Sequence, residues 1–192
     1  MPSAPPREDL TAKLLIAMPD MGDPRFHGSV VFLCAHSADG AMGLIVNKPM
    51  RDVRFADMLD QLDIQRGAAT PNMPVCYGGP VELRRGFVLH SAEYRGRQDD
   101  RLDVDAGFAM TATIDVLEDL ARGAGPDRAL MALGYAGWGP GQIEDEIGQN
   151  GWLTADATPD LVFGPRMEGK WAAALASLGI SPLTLSSEAG RA

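Results

Sequence analysis

Cys34 and His36 stand two residues apart in the apolar run VVFLCAH, and His90 closes a second run, GFVLH. A thiol beside an imidazole is the raw material of a nucleophile with its base, and a thiol with two imidazoles begins a metal site. On an extended strand, residues two apart project to one face, roughly 6 to 7 Å from each other. A direct hydrogen bond between Cys34 and His36 would then need favourable rotamers. His90 joins them only if its strand neighbours theirs, and the chain has no recognised ligand spacing. The plainer reading is a buried cysteine with a histidine at the core edge, and no metal or other cofactor is expected.

A different chemistry is open to GYAGWGPGQ, positions 134 to 142, which follows an apolar run and leads into a helix. Backbone N–H groups at such a corner can hold a phosphate or carboxylate. Gly137, Gly139 and Gly141 are spaced G-x-G-x-G, which is not the dinucleotide fingerprint, and no phosphate-binding G-x-x-x-x-G-K-[ST] loop exists. What remains is a binding surface of Tyr135, Trp138 and Gln142. Glu144 and Glu146 read as ordinary partners of the positive helix end. Serine-hydrolase and zinc-protease motifs are absent from the sequence. Arg84, Arg85, Arg95, Arg97 and Arg101 form local basic groups and read as solvated loop charges.

The elements that must position these residues follow from pattern. Runs 13–18, 30–36 and 42–49 read as strands, with Asp39-Gly40 turning the last two into an antiparallel hairpin that Pro49 stops. Phe55, Met58, Leu59 and Leu62 make a helical stripe. Strands are expected at 74–78, 86–91 and 108–112, with GGPVELRR as a turn and 92–107 as an exposed loop. Thr113 caps a helix lined by Ile114, Leu117, Leu120 and Ala121 that Gly123 ends. A strand at 129–135, a helix from about Pro140 and a last helix over 166–178 complete the chain.

These 192 residues suit one domain, with a flexible lead over 1–12, the domain over 13–181 and a tail over 182–192. The net charge of −9 disfavours phosphate backbones and anionic membranes. Two cysteines without close spacing, no secretory leader and no apolar run long enough to span a bilayer fit a cytoplasmic protein.

The blocks LLIAMPDMGDPRFHGSVVFLCAH, GAMGLIVNKP, YGGPVELRRGFVLHS and ALGYAGWGPGQIEDEIGQNGWL together resemble the AlgH/YqgE family over most of the chain. The resemblance implies a bacterial α+β fold, a mostly antiparallel bifurcated sheet curled into a pseudo-barrel and flanked by helices. It implies no settled activity, with a transcription-regulatory role suggested for some members. Asp23, Pro24, Phe26, Cys34, His36, Asn47, Gly78, Gly79, His90, Tyr135, Trp138 and Gln142 fall in the matching blocks. Arg191 departs from the histidine common near the family's end.

The leading expectation is a noncatalytic regulatory or adaptor protein that binds a small molecule or protein partner. Its candidate binding residues are Asn47, Gly78, Gly79, Tyr135, Trp138 and Gln142. One alternative is a thiol- or metal-dependent enzyme using Cys34 with His36 or His90. The other is a DNA-binding transcriptional regulator, which the charge opposes. Oligomeric state is open.

Overall fold

The computed structural model describes residues 8–97 and 101–185. The start of the expected lead, residues 98–100 of the expected loop, and the tail from 186, including Arg191, lie outside the described residues. Strands β1 (Lys13–Ala17), β2 (Val30–Ser37) and β3 (Gly40–Ile45) form where the apolar runs place them, with Ser37 opposite Gly40 in the hairpin. Val30 to Cys34 are all buried, so this strand shows no period-two alternation. Pro49 does not end the sheet but opens β4 (Pro49–Arg54), which pairs with β5 (Pro74–Tyr77) alone. The first residue of an edge strand tolerates proline because it need not donate to the ladder.

Helix α1 (Phe55–Gln61) buries Phe55 and Leu59. Strand β6 (Val81–Ser91) runs straight through VELRR, so the turn contracts to 78–80. The register breaks between Val81 and Gly86, and Glu82 sits at φ +48°, a bulge that turn-like composition disguised. Strand β7 (Arg101–Val104) pairs with β8 (Phe108–Thr111) inside the segment read as a loop. Helix α2 (Ile114–Arg122) stops at Gly123, φ +76°. Strand β9 (Ala129–Trp138) passes three residues beyond its expected end. Helix α3 (Gln142–Gly148), strand β10 (Trp152–Asp156), helix α4 (Pro159–Phe163) and helix α5 (Lys170–Ser177) follow, and sequence pattern had suggested neither β10 nor α4.

Among the described residues the sheet has ten strands in the order β10-β1-β2-β3-β9-β6-β8-β7, with β5 and β4 branching from β9. Every pairing is antiparallel except β5 with β9. One edge of β9 meets β5 at Met131–Leu133 and then β3 at Ala136–Trp138, so the sheet forks there. Gly78 and Gly79 thread the fork: a Cβ on Gly79 would lie 2.1 Å from the Tyr135 carbonyl carbon, and one on Gly78 2.2 Å from the Gly134 oxygen. The result is an α+β fold, an antiparallel sheet curled into a half-barrel with helices around it.

Three apolar clusters follow from the curl. Leu14, Ile16, Phe32, Cys34, Leu44 and Phe87 fill the barrel interior with α5. Leu15, Val31, Leu33, Ile45 and Trp138 face outward under α3. Val75, Val88 and Met131 face outward under α1 and α2. Leu10 and Ala12, placed by the sequence reading in a flexible lead, are each only 6% exposed and belong to this packing.

Candidate functional site

The corner between β9 and α3 is built on one carboxylate. Glu146 Oε2 accepts from the Trp138 indole at 3.0 Å and from the Trp152 indole at 2.8 Å. Its Oε1 accepts from Gln142 Nε2 at 2.9 Å. The Gln142 side-chain oxygen in turn accepts from the Gly139 backbone N–H at 3.0 Å. The backbone donor that a phosphate would need at Gly139 is therefore already used, and Gly141, at φ +73°, precedes α3 as its N-cap without a side-chain capping bond. Sequence reasoning set Glu146 aside as a dipole partner. Its i, i+4 spacing from Gln142, with a tryptophan on either flank, was the available signal.

Phe26 stands over both indoles, with centroids 6.1 Å from Trp138 and 5.6 Å from Trp152. It is held by the 3-10 turn Pro24–Phe26, which Asp23 caps by accepting from the Arg25 N–H. The Arg25 guanidinium also bonds Asp23 and holds its carboxyl below the usual carboxylate range. Between this loop, the end of β9 and the 149–151 turn lies a hollow of about 590 Å³. Trp138, Gln142 and Glu146 form one wall, and Asp20, Met21 and Phe26 face them. Three carboxylates, Asp20, Asp23 and Glu146, share this lining with one cation, Arg25. That balance suits a ligand carrying positive charge or N–H donors.

The thiol and imidazole candidates do not assemble. A β-bulge breaks the β2–β3 register between Leu33 and Ala35, interrupting the alternation that would put Cys34 and His36 on one face. Cys34 stays in the barrel interior, where burial pushes its thiol up to about 12. His36 turns to α3: its Nε2 lies 3.0 Å from Glu144 Oε1, and its Nδ1 accepts the Leu10 N–H at 3.1 Å. An Nδ1 acceptor in a neutral ring assigns the proton to Nε2, which donates to Glu144. His90 is fully buried, 2.8 Å from Thr111 Oγ1, and burial lowers its pKa.

The two histidines sit at opposite ends of β9. His36 pairs with Ala41, which pairs with Trp138, whereas His90 pairs with Ala129. Nine residues of strand separate those positions, about 30 Å. Among the described residues no group of three His, Cys, Asp or Glu side chains is placed to hold a metal ion. The basic residues are equally dispersed: Arg85 pairs with Glu82, Arg97 with Asp115 and Arg101 with Asp103.

The AlgH-like family profile matches residues 14–183. The chain belongs to the AlgH-like family. It is 62% identical over 184 residues to a UPF0301 protein of Jannaschia sp. strain CCS1, covering 96% of each chain. A UPF0301 protein of Ruegeria pomeroyi is 63% identical over 185 residues, 96% of this chain and 100% of that one. The solution structure of the AlgH protein from Pseudomonas aeruginosa matches with a TM-score of 0.77 at 39% identity, over 100% of both chains. A crystal structure of a Corynebacterium diphtheriae protein matches with a TM-score of 0.73 at 21% identity over 95% of this chain and 92% of that one, a likeness of fold alone.

In this AlgH-like chain the remaining block residues serve the corner indirectly. Asn47 clamps the base of the Phe26 loop, accepting from Val30 N–H at 2.9 Å and donating to Gly28 O at 2.8 Å. Gly78 and Gly79 bring Pro80 and Val81 to the rim of the hollow. Tyr135 instead packs its ring on Phe87, 5.9 Å away, within the barrel. Of the six binding candidates, Trp138 and Gln142 line the hollow themselves. Among the described residues no helix is long and apolar enough to cross a membrane.

Proposed function

We propose that this AlgH-like protein is a noncatalytic adaptor of the cytoplasm that receives a cationic or donor-rich group in the hollow at the β9–α3 corner. The observation that carries this reading is the Glu146 hub, which locks Trp138 and Gln142 into one wall, and bonds the buried Trp152 as well, before any ligand arrives. Pre-organised walls lose little freedom on binding, so more of the contact energy becomes affinity. The acidic lining selects the sign of the ligand. A thiol enzyme has less support, because Cys34 is buried with a raised pKa and, among the described residues, bonds only the Phe32 carbonyl. Direct DNA binding has less support too, since three of the five arginines considered for it are each paired with a carboxylate.

The test is an amide-resolved NMR titration of the full chain with a lysine-rich peptide, a polyamine and ATP as the anionic control. Shifts should cluster at 20–25, 137–142 and 149–151 for the cations, and Asp20→Arg should abolish them. Tighter binding of ATP at those residues, or cation shifts scattered elsewhere, would reverse the assignment.

A further inference from the structure

The three carboxylates of the β9–α3 hollow are not equally open. Glu146 accepts N–H bonds from Trp138, Trp152 and Gln142, which leaves little of a carboxylate's capacity of about four. Asp20 is exposed and forms no hydrogen bond or ion pair among the described residues. Asp23 already holds a cation. Arg25 Nε lies 3.0 and 3.2 Å from its two oxygens, and Nη2 lies 2.7 Å from Oδ2.

This contact is a fork and not a point charge. Two nitrogens on one edge of the guanidinium plane meet both oxygens of the carboxylate, a match that an ammonium does not make. The guanidinium carbon also lies 5.9 Å from the Phe26 ring centroid, within the cation–π range of about 6 Å. Asp23 and Phe26 both line the hollow. The side that faces Glu146 therefore displays, with a group of the chain's own, the chemistry it accommodates.

Arg25 is held there loosely. Its side chain is 59% exposed, and exposed ion pairs contribute little net stability. The turn beneath it has ties of its own: Asp23 accepts the Arg25 backbone N–H at 3.0 Å, and Lys48 Nζ bonds the Arg25 carbonyl at 2.9 Å. Lys48 is the other cation that acts on Asp23, and it stands outside the lining of the hollow. The guanidinium can swing away while the loop backbone stays in place.

Resting on the hollow's role as a cation site, we propose that Arg25 is its internal competitor, holding the place on Asp23 and Phe26 that the guanidinium of an arriving arginine side chain takes on binding. A ligand brings contacts across the hollow that Arg25 lacks, Asp20 first among them. These offset the advantage of a rival tethered two residues from its partner.

The experiment is an NMR titration of the isotope-labelled full chain, wild type and Arg25→Gln, with the blocked tripeptides acetyl-Gly-Arg-Gly-amide and acetyl-Gly-Lys-Gly-amide. Glutamine keeps the backbone N–H that Asp23 accepts. Arg25→Gln should bind the arginine peptide about fivefold tighter than wild type, the scale of one exposed ion pair, with shifts at 20–26 and 137–142. The lysine peptide should gain about twofold at most, because it lacks the fork. Adding Asp23→Asn to Arg25→Gln should erase the arginine gain. Equal affinity of the arginine peptide for both chains would overturn the competitor and leave the cation site standing. An equal gain for the two peptides would overturn the guanidinium assignment. If neither peptide shifts the hollow in either chain, the cation site itself fails, and the competitor with it.

Discussion

The hollow at the β9–α3 corner and a groove of about 560 Å³ between α1, α2 and the sheet lie along β9, similar in size and opposite in state. At the β9–α3 corner, Glu146 accepts from two indoles and an amide, and its neighbours are bonded in turn. At the α1–α2 groove, the buried Thr113 hydroxyl has no hydrogen-bond partner, and Asp52 and Arg84 form no ion pair, among the described residues. The polar groups of the first are bonded to one another, and the second leaves a buried hydroxyl without a bond among the described residues. Satisfied networks resist change, because removing one member strands the rest in a poorly solvating interior. Unsatisfied groups have nothing to lose.

Glu146→Leu should expose the sharpest contrast. It removes the acceptor of two indole N–H groups, with Trp152 1% exposed and Trp138 6% exposed, and stability should fall by about 3 kcal/mol in urea denaturation. A loss below about 1 kcal/mol would mean the corner relaxes, and the contrast between the hollows would dissolve.

The barrel interior supplies an intermediate case. Lys170 is 4% exposed and donates to Val46 O and Val162 O, but it has no carboxylate partner among the described residues. Burial lowers its pKa from 10.5 to about 8. Between those values the unfolded chain holds a proton that the folded chain has released, so the lysine's contribution to stability rises with pH through that window. Below it both states are protonated and the contribution is flat. The stability difference between wild type and Lys170→Met should therefore shift in favour of wild type from pH 8 to 10, by at most about 1.4 kcal/mol per unit. A pH-independent difference would show that the ammonium is solvated.

Thr113→Val should give the smallest effect. The hydroxyl bonds nothing among the described residues, so calorimetric melting should place the variant within about 0.5 kcal/mol of wild type or slightly above it. A clear destabilisation would reveal a partner at the groove and make the two hollows alike.

The sequence made the corner visible and the groove invisible for a reason of distribution. Trp138, Gln142 and Glu146 lie within nine positions, whereas the groove draws on β4, α1, β6, β8, α2 and β9. No local pattern joins Leu62 to Leu83 and Ile114. The resemblance supplied the bifurcated sheet, and the Asp39-Gly40 hairpin and the Gly123 stop were readable from turn chemistry. Strands β4 and β7 escaped because short, polar strands at a sheet margin lack alternation. The bulge at Cys34 escaped because nothing in VVFLCAH marks an unpaired residue, and that one residue separates the thiol from His36.

Strand β1 has a consequence for how the chain is made. Its inner edge meets β2 almost at once, but its outer edge waits for β10, with Lys13 paired to Asp156 across 143 positions. During synthesis that edge stands open while most of the protein is still being added, and an open edge is a template for any passing strand. The hazard is greatest on a crowded ribosome, where a second nascent copy is the nearest competitor for the place that β10 will take.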